Sequence, residues 1–116
     1  MAVTPVIPSG STNGRPIKIV AISTPGTLLH TAVAGITSLD EVWVWATNND
    51  TVSRNLTIEL GGVTSPDDLI VLGIDAKQGH FLVIAGVRLN NGVAIRAFGS
   101  AANVLCCAVN VNRYTP

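Results

Sequence analysis

Hydrophobic positions along this chain come in short stretches rich in Val, Ile, Leu and Thr, bounded by turn residues, and none repeats with the period of a helix. Such stretches are typical of β-strands. The clearest alternation is in segment 55–60, which places leucines and an isoleucine on one face and polar groups on the other. The pattern predicts eight strands, at about residues 17–23, 27–34, 39–48, 53–60, 68–74, 80–87, 93–99 and 103–112.

Short strands at intervals of roughly ten residues are typical of an all-β sandwich or barrel. We therefore expect a single jelly-roll-like β-sandwich of about eight antiparallel strands over residues 17–116, with a closed barrel as the main alternative. Asn90-Asn91-Gly92 is the clearest hairpin signal, because Asn-Gly readily adopts the positive φ angles of a type I′ turn.

Residues 1–16 differ from the rest of the chain, with three prolines, two glycines and several small polar residues. This composition predicts an extended N-terminal arm rather than a helix or a central strand. Val3, Val6 and Ile7 are its candidate anchors. The arm either binds a partner or folds against its own domain, and the sequence leaves both arrangements open.

Several predicted strands are apolar on both faces. In segment 42–46 the valines share one face while Trp43 and Trp45 share the other, and segment 104–109 has no polar face at all. The outer faces of an isolated sandwich should be polar. We therefore expect some outer faces to be covered by the arm, a second copy or a larger surface. Trp43 and Trp45 form either one core layer or one contact surface.

Composition favours a module that packs against other protein. Only 12% of the residues are charged, whereas soluble domains average roughly 25%. The net charge is +0 and the basic residues are scattered, which argues against direct nucleic-acid binding. No apolar run reaches the roughly 18 residues of a membrane helix, and no secretory signal is visible. Neither membrane insertion nor export by that route is expected.

Residues with catalytic or metal-binding chemistry are few and scattered. His30 and His80 have no second ligand at a recognised spacing, so we expect no metal site. Cys106 and Cys107 lie in an apolar segment and are interpreted as two small buried hydrophobic residues. No nucleophile motif, phosphate-binding loop or dinucleotide fingerprint occurs. We therefore expect a non-enzymatic protein without a cofactor.

An interface is the more promising kind of site. Phe98 and Arg96 share a face opposite Ile95 and Ala97, and if the latter face the core, the former make an apolar and basic contact patch. Arg113 and Tyr114 are a second candidate pair. The full set of candidate interface residues is Val3, Val6, Ile7, Trp43, Trp45, Arg96, Phe98, Arg113 and Tyr114.

Several segments together resemble the small structural proteins of tailed bacteriophages: residues 30–35, 40–48, 57–62, 65–70, 96–98, 102–104 and 111–113. The similarity spans roughly residues 27–113 and is greatest to the jelly-roll cement, or decoration, proteins of capsids. It implies a virion protein on the outer surface of the capsid, made in the host cytoplasm. Such a protein would staple neighbouring major capsid protein subunits together and stabilise the DNA-filled head.

Symmetric self-association would cover more apolar surface, so a homo-oligomer is expected, either a dimer or a trimer. Three other functions compete with a cement protein. A neck or tail component of the same virion cannot be distinguished from a cement protein by composition. A carbohydrate-binding jelly roll would place an exposed aromatic residue beside Asp or Asn in a loop. An enzyme would bring carboxylates from separate loops into a deep pocket.

Overall fold

The computed structural model describes all residues from Met1 to Pro116 and contains nine β-strands. It contains no helix, and therefore none that is long and apolar enough to cross a membrane. The strands are β1 (Ala2–Val6), β2 (Ile17–Lys18), β3 (Thr27–Thr31), β4 (Leu39–Asn48), β5 (Arg54–Leu60), β6 (Leu69–Ile74), β7 (Phe81–Leu89), β8 (Ala94–Gly99) and β9 (Leu105–Thr115).

Two antiparallel sheets form a sandwich. Sheet A has the order β1-β9-β4-β7, and β2 also pairs with β9, whereas sheet B has the order β3-β8-β5-β6. From β2 onward the chain changes sheets at every connection except the one between β5 and β6. If β1 and β2 are taken as two parts of one strand, this is the eight-strand arrangement of a jelly roll. The predicted all-β, jelly-roll-like sandwich is confirmed.

Seven of the predicted strands occur within about three residues of the expected positions, but the first is much shorter. The predicted strand 17–23 ends at Lys18, and the chain then joins a loop that is held at two points. Ile19 N donates to the Leu105 carbonyl at 2.8 Å, and Gly99 N donates to the Ala21 carbonyl at 3.1 Å. The apolar residues beyond Lys18 therefore belong to a loop that bridges the sheets.

The turn at Asn90 has the predicted conformation but not the predicted role. Asn91 and Gly92 have φ angles of 55° and 73°, and Val93 N donates to the Asn90 carbonyl at 3.1 Å, as in a type I′ turn. However, β7 belongs to sheet A and β8 to sheet B, so the hairpin prediction is wrong. The turn residues determine the local reversal, whereas the packing of each strand determines its sheet.

The core lies between the sheets and is built by strict alternation along the central strands. In β4, the even-numbered residues are buried and the odd-numbered residues are half-exposed. Val42 and Val44 of sheet A face the fully buried Leu56, Ile58 and Ile95 of sheet B. Burial of each large aliphatic side chain stabilises the fold by roughly 1.5–3 kcal/mol. This packing fixes which side chains of β4 and β8 remain on the outer faces.

The N-terminal arm, residues 1–16, packs against its own domain. Residues 2–6 form β1, which pairs with the last five residues of β9 at the edge of sheet A. The chain then crosses to sheet B, where Gly10 N donates to the Leu29 carbonyl at 3.0 Å. A Cβ at Gly10 would lie only 2.2 Å from the Leu28 carbonyl oxygen, so this crossing requires glycine. Of the two arrangements left open by the sequence, the single chain adopts the second.

Candidate functional site

Trp43 and Trp45 lie on the outer face of sheet A and are half-exposed. Their rings are nearly parallel, with an angle of 17° between the planes and 6.3 Å between the centroids. Trp43 packs over Gly86 of β7, whose φ angle is 76°, and a Cβ at Gly86 would lie 3.0 Å from Trp43 Cζ2. The β-bulge around Gly86 therefore makes room for the indole. Of the two alternatives for the tryptophan pair, the structure has the surface arrangement.

A groove of about 620 Å³ runs between the tryptophan pair and the N-terminal segment. Two prolines, Pro5 and Pro8, lie on the side of the N-terminal segment. We refer to it as the tryptophan groove. Its lining consists of Pro5, Val6, Ile7, Pro8, Gly14, Glu41, Trp43, Trp45, Val109, Asn110, Val111 and Asn112.

The polar side chains of the groove differ in whether they already form hydrogen bonds within the chain. Glu41 accepts hydrogen bonds from Trp43 Nε1 at 3.2 Å and from the Tyr114 hydroxyl at 3.4 Å. Asn110 lies directly opposite Trp43 in the pairing of β4 with β9, and Asn112 lies opposite Glu41. Asn110 is exposed and Asn112 is half-buried, and the side-chain hydrogen bonds at the groove run from Trp43 and Tyr114 to Glu41 and involve neither amide. The groove thus combines two indoles with two uncommitted amides.

The opposite outer face, that of sheet B, carries Phe98 and Arg96. Both are half-exposed on β8, whereas Ile95 and Ala97 are buried in the core, which is the orientation expected from the sequence. Phe98 pairs with Thr57, which in turn pairs with Val71 of the edge strand β6. These three residues, here called the Phe98 row, cross the sheet, and Val71 is 63% exposed.

The next row of sheet B, Glu59 and Arg96, is covered by the loop that precedes β3. Glu59 is buried and accepts hydrogen bonds from Gly26 N at 2.6 Å and from the Thr24 hydroxyl. Arg96 Nη1 donates to the Gly26 carbonyl at 3.3 Å. Arg96 therefore holds this loop in place, and Phe98 is the more available part of the predicted apolar and basic patch.

Arg113, a predicted interface residue, forms an ion pair within the chain. Its Nε and Nη2 donate to the two carboxylate oxygens of buried Asp40 at 2.7 and 3.0 Å. Asp40 also accepts hydrogen bonds from His30 Nε2 at 2.8 Å and Val33 N at 3.0 Å. Burial opposes the ionisation of Asp40, but the hydrogen bonds from Arg113 and His30 outweigh it and hold its pKa below the ordinary value of 3.8.

His30 connects this cluster to the N-terminal segment. Its Nδ1 accepts a hydrogen bond from Ser9 N at 3.0 Å, so the proton of the neutral ring lies on Nε2 and is donated to Asp40. Ser9 Oγ accepts a hydrogen bond from Thr31 N at 2.7 Å. Ser9, His30 and Asp40 thus resemble a hydrolytic triad only in composition, because both ring nitrogens are engaged and His30 is 1% exposed. The cluster fastens the arm to sheet B.

The adjacent cysteines point to opposite faces, as expected for neighbours on a strand. Cys107 is buried, and burial raises the pKa of its thiol to about 12. Cys106 is half-buried, and both thiols are free. No three or more His, Cys, Asp or Glu side chains cluster in a way that would hold a metal ion.

The structure distributes the predicted interface residues over both faces and the interior. Val3 and Tyr114 are paired on sheet A, on the same outer face as the tryptophans, and the exposed Ile7 lies at the groove. Val6 points inward and packs against the core. The guanidinium of Arg113 also points inward, where it pairs with Asp40. No protein-family model, curated protein or solved structure matches this chain.

No sequence pattern indicates the buried polar cluster. The side-chain partners of Asp40 are ten and 73 residues away, and no recognised spacing links them. The groove was also missed, because the pairing of β4 with β9 is needed to place Asn110 beside Trp43. An alternation of asparagine with valine over 109–112 is the one pattern that indicates a polar outer edge here.

Proposed function

We propose that this chain is a non-enzymatic cement protein of a tailed-bacteriophage capsid, which binds the outer surface of the head and staples neighbouring major capsid protein subunits. One observation carries the proposal: twelve large hydrophobic side chains are exposed in a chain with only 12% charged residues. Where such residues adjoin, as Ile70 and Val71 do on the edge strand β6, exposed apolar surface is typical of a site that binds other protein. The kind of partner is proposed from the segments that resemble phage structural proteins.

The Phe98 row is the surface that we assign to capsid binding. It runs across the outer face of sheet B from Phe98, which is half-exposed on the interior strand β8, to Val71, which is exposed on the edge strand β6. Val63, in the loop between β5 and β6, is also 52% exposed. Contact along this surface contributes about 25 cal/mol for each square ångström of apolar area buried. An aromatic residue in such a surface is the usual anchor of an interface.

Self-association is the second part of the proposal. A dimer or a trimer would cover exposed apolar residues that a single contact with the shell leaves in solvent, including Val20 and Ile22 of the loop before β3. Association around a symmetry axis also lets one oligomer contact several capsid subunits at once. This multivalency suits a protein that contributes contact area rather than chemistry.

Copy number in purified virions is the primary test. Quantitative mass spectrometry would measure this chain relative to the major capsid protein, and hundreds of copies per particle are expected. A handful of copies would contradict the cement role and indicate a neck or tail component. Absence from the virion would overturn the proposal as a whole.

Substitution of the Phe98 row tests the docking surface. Phe98→Asp and Val71→Asp should reduce binding to capsids that lack the protein. Ile36→Asp, in the loop between β3 and β4 and 78% exposed, should not. Circular dichroism checks that each variant folds. Deletion of the arm is a poorer test, because it also removes β1 and the hydrogen bond from Ser9 to His30. Equal binding by all three variants would exclude this surface.

A further inference from the structure

The tryptophan groove is not used by the proposed docking surface, because the two lie on opposite outer faces of the sandwich. Its volume of about 620 Å³ is within the range of small-molecule sites, roughly 300–1,000 Å³. It contains half-exposed indoles and two asparagine amides that take no part in the side-chain hydrogen bonds at the groove. This combination calls for a ligand with both an apolar surface and many hydrogen-bonding groups.

We propose that the tryptophan groove binds a neutral saccharide of one or two sugar units. The CH groups of a sugar ring pack against indoles, and Trp43 and Trp45 provide two of them on one wall. Each sugar hydroxyl is both a donor and an acceptor, as is each asparagine amide. Asn110 and Asn112 are two residues apart on β9, so their side chains share the outer face beside Trp43.

The charge of the groove argues against anionic ligands. Glu41 is the single ionisable side chain in the lining, and no cationic side chain lines it. The Glu41 carboxylate already accepts hydrogen bonds from Trp43 and Tyr114, and Arg88 Nη2 lies 3.6 Å from it. An anionic sugar or a phosphate would find no cationic side chain in the lining, since Arg88 lies outside it and is paired with Glu41.

The amides also favour a saccharide over a proline-rich peptide, which is the other common ligand of a tryptophan-lined groove. Proline has no N–H, so a proline-rich segment offers carbonyl acceptors but few donors. The side-chain carbonyl oxygens of Asn110 and Asn112 would then gain no hydrogen bond from the ligand. Hydroxyl groups satisfy both the donor and the acceptor of each amide.

Titration of the isolated full-length chain tests this site, and it does not depend on the proposed role in the virion. Tryptophan fluorescence and calorimetry would be followed with the methyl glycosides of glucose, galactose, mannose and N-acetylglucosamine, and with an oligoproline peptide. Asn110→Ala and Asn112→Ala remove the uncommitted amides. Asn55→Ala, at an exposed asparagine of β5 in sheet B, is the matched control.

We expect at least one glycoside to bind, with an affinity about tenfold lower in Asn110→Ala and in Asn112→Ala, because each loses a hydrogen bond to the sugar. Asn55→Ala should bind as the unmodified chain does. The proposal is overturned if no glycoside binds, if oligoproline alone binds, or if the three variants are indistinguishable. Both groove variants carry changes at surface positions, so circular dichroism should show an unaltered fold.

Discussion

Replacement of Asp40 by Asn is the most informative perturbation of this fold. The two carboxylate oxygens of Asp40 accept four hydrogen bonds, from Arg113 Nε and Nη2, His30 Nε2 and Val33 N. Asparagine retains one acceptor oxygen. Whichever way its amide is turned, the NH₂ group faces donors and cannot accept their hydrogen bonds. The substitution removes the negative charge while it preserves the size of the side chain, so packing changes little.

The magnitude follows from burial. Removing one partner of a buried ion pair costs about 3–5 kcal/mol. The Arg113 side chain is 30% exposed, so part of its charge can be hydrated after the substitution. We therefore expect a loss near the lower limit, about 3 kcal/mol, which corresponds to a decrease of about 10–15 °C in Tm for a domain of this size.

The same substitution should alter the pH dependence of stability. The pKa of Asp40 is lower in the folded chain than its ordinary value of 3.8, so at acid pH the unfolded chain binds this proton first. The stabilisation is complete above about pH 4 and is lost as the pH falls through the lowered folded-state pKa. Asp40→Asn should lose less stability on acidification, though Asp50, whose pKa is lowered by Thr51 N and Arg54, still contributes.

Urea denaturation followed by the fluorescence of Trp43 and Trp45 measures both effects at a series of pH values. Asp67→Asn, at an exposed carboxyl of the loop between β5 and β6, is the matched control and should leave stability unchanged. The reasoning is refuted if Asp40→Asn is destabilised by less than about 1 kcal/mol at neutral pH. Parallel acid profiles of the variant and the unmodified chain would also refute it.

Three further outcomes are expected. Iodoacetamide should modify Cys106 in the folded chain but not Cys107, which is buried and has a pKa raised to about 12; mass spectrometry counts the adducts. Gly86→Ala should destabilise the fold by about 1–2 kcal/mol in urea, because its φ angle is 76° and the new Cβ would approach Trp43 to 3.0 Å. Leu56→Ala should cost about 2–5 kcal/mol in the same assay, since Leu56 is fully buried between the sheets.

Each of these has an opposite result that would count against the structure. Equal labelling of both thiols before denaturation would place Cys107 at the surface. An unchanged stability in Gly86→Ala would mean that the bulge does not need a positive φ angle. A loss below about 1 kcal/mol in Leu56→Ala would mean that this position is not in the core.

Local structure was largely predictable from the sequence. Alternation along β4 and β5 is a property of consecutive residues, because side chains on a strand point to opposite faces whatever the strand pairs with. The type I′ turn at Asn91-Gly92 was predictable for a similar reason, since the φ preferences belong to those residues. The jelly-roll-like fold class followed from the number and spacing of such strands.

Pairing and partner choice were decided by the tertiary structure. The same turn joins two sheets instead of closing a hairpin, because β7 and β8 bury their apolar sides in different layers. Arg113 was a plausible interface residue until the pairing of β9 with β4 placed it opposite Asp40, 73 residues earlier. Strand periodicity specifies on which side of its strand a side chain lies. Which residue it contacts depends on the order of strands in the sheet, to which every strand contributes. Strand positions and the outward or inward side of each residue could therefore be predicted from the chain alone, whereas the polar cluster and the tryptophan groove depend on which strands pair in the sandwich.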